Sequence, residues 1–127
     1  AAALLRTLIV LNWLSGAAIA VLPVAMLPLG YVVLRRLLAI VETVRAGDPF
    51  VAANASHLEW IAWALLALQL LSMVIGAIAK SVSTPAHPLR FNAGFSINGW
   101  LAVLLTFVLA RVFAEGALMR EDLAGTV

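Results

Sequence analysis

Residues 61–79, IAWALLALQLLSMVIGAIA, run nineteen positions with only Gln69 and Ser72 breaking an apolar composition. A hydrocarbon core of about 30 Å needs about 20 helical residues, so this stretch reads as a membrane-spanning helix and sets the fold class. Working outward, Ile97 to Ala110 reads as a second span, carried by Arg111 to Ala117 into the interface. The composition agrees: 65% of the chain is hydrophobic and 11% charged, against about half and a quarter in soluble domains. The few charges sit at the ends of apolar runs. The chain is therefore predicted to be all-α, an integral membrane helical bundle forming a single domain over residues 1–127.

Between the N-terminal apolar region and this span lies Arg45-Ala46-Gly47-Asp48-Pro49-Phe50. Gly47 suits the end of one helix, where a left-handed residue closes the last turn. Asp48 followed by Pro49 suits the start of the next, as N-cap and first helical residue, placing that start near Phe50.

The N-terminal third poses a length conflict. Thr7 to Leu34 is 28 residues of nearly unbroken apolarity, long for one span and short for two with a turn. It is too long for a signal-peptide core and lacks a small-residue cleavage site, so no signal peptide is read. One solution is a single tilted helix kinked at Pro23 and Pro28, followed by an interfacial helix from Arg35 to Ala46, giving three spans. The other makes a second span from about Val21 to Val44, with Arg35 and Arg36 snorkelling to the headgroups. Charge favours the second. With four spans and both termini on one side, Arg6, Arg35, Arg36, Arg45, Arg111 and Arg120 share a face, and only Lys80 and Arg90 lie on the other. The positive-inside rule then makes both termini cytoplasmic; with three spans Arg6 changes sides and the bias weakens. The segment from Lys80 to Gly94 is the external loop in either case.

Zero cysteines exclude disulfides and thiolate chemistry. A net charge of +2, spread singly over helix ends, gives no clustered basic face for nucleic acid. Polar residues within spans need partners. Asn12, Gln69, Ser72, Asn98 and Thr106 are read first as interhelical hydrogen-bonding groups, and Asn12, Gln69 and Asn98 as a buried polar pocket if they converge. Arg111 and Glu115 stand four apart, the spacing of an ion pair on one helix face. Arg35, Arg36, Arg45, Arg111, Glu115 and Arg120 together form a candidate surface for a partner or a lipid headgroup. His57 and His87 are separated by a whole span and cannot share a metal. Trp13, Trp60, Trp63 and Trp100 lie near span ends, as interface anchors do. No nucleophile with a base, paired carboxylates or metal ligands stand out, so no enzyme, metal or cofactor is predicted.

Leu37 to Phe50, with its Val-Arg-Ala-Gly-Asp-Pro-Phe turn, then Asn54, then Ala110 to Ala117, and the closing Arg120-Glu121-Asp122-Leu123-Ala124-Gly125-Thr126-Val127 resemble the bacterial membrane family called domain of unknown function 2975. The resemblance implies four spanning helices in a bacterial inner membrane and no established activity. It also implies a neighbourhood of small helix-turn-helix regulators for some members. Proteins similar to this one carry a longer connection between the first two helices. Its shortness here, with the length conflict, predicts that the chain joins two pieces somewhere between about Ser15 and Pro23, with a loop absent.

Two functions are in view. One is an accessory or regulatory subunit that acts by helix–helix contact with a larger membrane complex or a regulator. The other is a membrane binding module for a lipid, quinone or other apolar ligand.

Overall fold

The computed structural model describes residues 1–82 and 97–125. They form three α-helices: α1 (Ala2–Arg45), α2 (Ala52–Val82) and α3 (Ile97–Gly125). All three are long and apolar enough to cross a membrane. Of the external loop expected from Lys80 to Gly94, Lys80 to Val82 instead continue α2, and the rest, with His87, falls outside the described residues.

The four-span reading gives way to three helices among the described residues. A reversal near residue 20 would need backbone that leaves the helical region, yet Gly47 is the single described residue with positive φ. Gly16, Gly30, Pro23 and Pro28 all lie within α1. Each proline removes one backbone donor and crowds the carbonyl four residues back, which weakens a helix without turning it around. The separate interfacial helix is also replaced, since Arg35 to Arg45 continues α1. No break occurs between Ser15 and Pro23, where a joined loop was expected. At 1.5 Å per residue, the 44 residues of α1 measure about 66 Å along the contour, roughly twice a hydrocarbon core.

One periodicity organises each helix. In α1 the shielded side includes Ser15, Ile19, Leu22, Met26, Leu29, Val33, Arg36, Ile40 and Thr43; in α2 it follows Asn54, Leu58, Ile61, Leu65, Leu68, Ser72, Ile75 and Ala79; in α3, Gly99, Val103, Thr106, Ala110, Phe113 and Ala117. Alternating steps of four and three average 3.5 residues, the period of left-handed packing. Small residues recur at the buried positions, among them Ala62, Ala64, Ala79, Ala110 and Ala117. Small residues at these positions let neighbouring helices come into close van der Waals contact. Large apolar side chains such as Leu8, Leu27 and Leu104 point outward instead.

Contacts divide the chain into two compact units: Ala1–Leu27 with Leu68–Phe95, and Pro28–Ala67 with Ser96–Val127. In the first, Ile75 and Ala79 of α2 are buried. In the second, Leu58, Ile61 and Ala110 form the core, with Val33, Ile40, Leu65 and Phe113 packed against it.

Candidate functional site

The second unit holds both features that could carry function, a clasped turn and a charged cleft. The turn begins at the end of α1. Gly47, at φ 87°, lets its own N–H reach the Val44 carbonyl at 3.0 Å and the Asp48 N–H reach the Thr43 carbonyl at 3.0 Å. This is the paired closure of a glycine-terminated helix, as the sequence led us to expect.

The start of α2 differs from expectation. The helix begins at Ala52, and the Asn54 N–H bonds the Val51 carbonyl at 3.0 Å. Asp48 is an ion-pair partner of Arg120 instead of an N-cap. The turn is braced from within by Asn54, whose side chain is fully buried. Its amide donates to the Thr43 hydroxyl and the Pro49 carbonyl, both at 2.7 Å, while the Thr43 hydroxyl donates to the Ile40 carbonyl at 2.6 Å.

Phe50 completes the clasp. Its ring stacks on Phe113 with centroids 5.5 Å apart and lies against Gly116, where an added Cβ would come within 3.0 Å of the ring. The Gly-Asp-Pro-Phe block and the closing block of α3 are thus in contact, through one ion pair and one aromatic seat.

The cleft lies between α1 and α2. It is an open groove of about 850 Å³, lined by Leu34, Leu38 and Ala39 and by Arg35, Arg36, His57 and Trp60 among others. Arg36 belongs to the shielded side of α1, so its guanidinium is directed at α2: Nη1 lies 3.0 Å from His57 Nδ1, and the group sits 5.1 Å from the Trp60 ring centroid. Arginine has only donors, so in this contact His57 Nδ1 accepts. Arg35, one residue earlier, faces the cleft from outside the seam. It donates to the Tyr31 hydroxyl at 2.7 Å, its charge 6.0 Å from that ring's centre.

The remaining candidates are distributed as follows. Arg111 and Glu115 form the expected pair, at 3.6 Å, and Arg45 pairs with Glu42 at 3.6 Å. Trp63 packs edge-on against Phe107 at 5.3 Å, Trp100 is half-buried, and Trp13 is 75% exposed. Of the amides expected to line a buried pocket, Asn12 and Asn98 are exposed and Gln69 is half-buried. Asn12 precedes the point where α1 becomes shielded, at Ser15, and Asn98 lies off the shielded side of α3. Thr106 is satisfied within its own helix, donating to the Ala102 carbonyl at 2.6 Å, so its hydrogen bond is not interhelical. Among the described residues no group of three or more metal-ligating side chains occurs.

Sequence reading missed Asn54 as a brace, Phe50 with Phe113 and Gly116 as a seat, and Tyr31 and His57 as partners of adjacent arginines. The 3.5-residue register was the available signal, since it places Arg36 and Asn54 on inward positions.

A family model described as protein of unknown function (DUF2975) matches residues 2–127. No curated protein and no solved structure matches the chain.

Proposed function

The chain belongs to the DUF2975 family, and from that premise we propose that it is an accessory or regulatory membrane subunit, acting by helix contact with a larger membrane protein. The observation that carries this reading is the uncovered flank of α1. No residue of the helix is buried, and its exposed side presents Gly16, Ala17 and Ala20. Nothing lies within 4 Å of the place a Cβ on Gly16 would take. Gly16 and Ala20 have the small-x-x-x-small spacing that lets a second helix approach to backbone contact.

In the same proposal the protein is a multi-pass component of a bacterial inner membrane. Arg35, Arg36, Arg45, Arg111 and Arg120 all belong to the second unit, which supports a cytoplasmic side for the α1–α2 turn and the last turns of α3. With three crossings, the proposal puts the start of α1, with Arg6, on the opposite face, in place of two cytoplasmic termini.

The test is purification of the full chain from native membranes in mild detergent, with mass spectrometry of what travels with it. A stoichiometric larger membrane protein is expected, and it should be lost from the Gly16→Leu/Ala20→Leu variant and retained with Val10→Leu. A chain that runs alone, or a companion indifferent to both variants, would end this reading.

A further inference from the structure

We propose that the cleft between α1 and α2 binds the phosphate of an anionic phospholipid, gripped by Arg35 and Arg36 with an acyl chain lying along Leu34 and Leu38. This site is independent of the Gly16 flank and of the partner proposed for it.

The argument starts from unmatched charge. Among the described residues Arg45, Arg111 and Arg120 each have a carboxylate partner, whereas Arg35 and Arg36 have none. Their contacts are with a hydroxyl, an imidazole nitrogen and two aromatic faces, none of which cancels a positive charge. The carboxylate on the cleft wall, Glu42, lies 3.6 Å from Arg45, a third arginine that offsets its charge. The cleft therefore carries two neighbouring cations and one acid already matched elsewhere.

The geometry suits a phosphate. A guanidinium has five N–H donors in a planar fork that fits phosphate oxygens in pairs. Arg35 uses one donor on Tyr31 and Arg36 one on His57, leaving most of both forks open. Arg36 is fixed between His57 and Trp60, so much of its side-chain entropy is lost before a ligand arrives. Arg35 is exposed and free to close on the second oxygen pair.

The position selects a lipid over a free anion. The arginines follow directly on the apolar run that ends at Leu34, and Leu34 and Leu38 line the same cleft. A phosphate seated there would have its chains at the height of hydrocarbon. Trp60 adds a ring suited to the headgroup zone.

The experiment uses the full chain in nanodiscs and native mass spectrometry, comparing phosphatidylglycerol with phosphatidylcholine of identical acyl chains, with glycerol phosphate and inorganic phosphate as soluble competitors. Retained phosphatidylglycerol is expected, with a preference of about fivefold for each arginine. Arg35→Gln should reduce that preference by about this factor and Arg35→Gln/Arg36→Gln should abolish it, while Arg111→Gln leaves it intact. Arg35 braces nothing in the core, so the single variant keeps the test valid should the double variant misfold. Equal retention of the two lipids, or a preference that survives Arg35→Gln unchanged, would overturn the proposal. Displacement by inorganic phosphate at the concentration of lipid would also overturn it, by making this a site for a free anion.

Discussion

Asn54 carries more of the turn than any other single side chain. It is fully buried and joins the last turn of α1 to the segment before α2 through Thr43 and Pro49. Replacing it with alanine removes both hydrogen bonds and leaves the half-buried Pro49 without that donor to its carbonyl, an effect of about 1–3 kcal/mol. Asn54→Ala should accordingly lower the thermal unfolding midpoint in detergent by several degrees. An unchanged midpoint would show that water replaces the amide without loss. Asp48 and Arg120 offer a contrast, because their side chains are 39% and 54% exposed. Pairs so open to solvent contribute about 0–1 kcal/mol. The difference explains what was legible here. Gly47 declares itself, because only a residue tolerant of positive φ ends a helix this way. Asp48 before proline has the same local signature as an N-cap, and nothing nearby in sequence announces that its partner is Arg120, in a different helix. Asn54 stood out in the family resemblance, yet its role depends on a hydroxyl eleven residues away.

At the scale of the element, α1 is the informative case. Its apolar run was plain from composition, but its continuity was not, since two prolines and two glycines invite a break. Helical backbone persists because none of the four demands a non-helical φ. A proline inside a helix costs about 3 kcal/mol through a lost hydrogen bond and a clash with the carbonyl four residues back. Pro23→Ala and Pro28→Ala should therefore each raise the unfolding midpoint of the purified protein. Were Pro23 instead in a turn between two antiparallel spans, alanine there would lower it or leave it unchanged. The contact side of α1 was harder to read, because apolar residues surround the helix and little amphipathic contrast reveals which way it faces. The 3.5-residue register supplies that information only when Arg36, a charged residue on the inward side, is taken as a seam residue and not as the end of a span.

For the whole molecule, the number of crossings fixes where the ends emerge. The absence of native cysteine makes single-cysteine labelling clean. In spheroplasts, a membrane-impermeant maleimide should label Ala3→Cys without lysis and Leu123→Cys only after it. Labelling of both before lysis, or of neither, would mean an even number of crossings. That the chain forms helices apolar enough to cross a membrane was legible from composition, and the last two helices from their apolar lengths. The clasp and the cleft were not, because each depends on side chains from different helices meeting at one height. That pairing is decided by register and by the turn, neither of which hydropathy reports.

The clasp also sets an order on synthesis. Asp48 and Phe50 are made well before Phe113, Gly116 and Arg120. At translation rates of about 5–20 residues per second, the hairpin of α1 and α2 waits on the order of seconds with its aspartate and its phenylalanine bare. Assembly is thereby timed by the last turns of α3, and a chain cut short before Phe113 would be left with a hairpin that never closes.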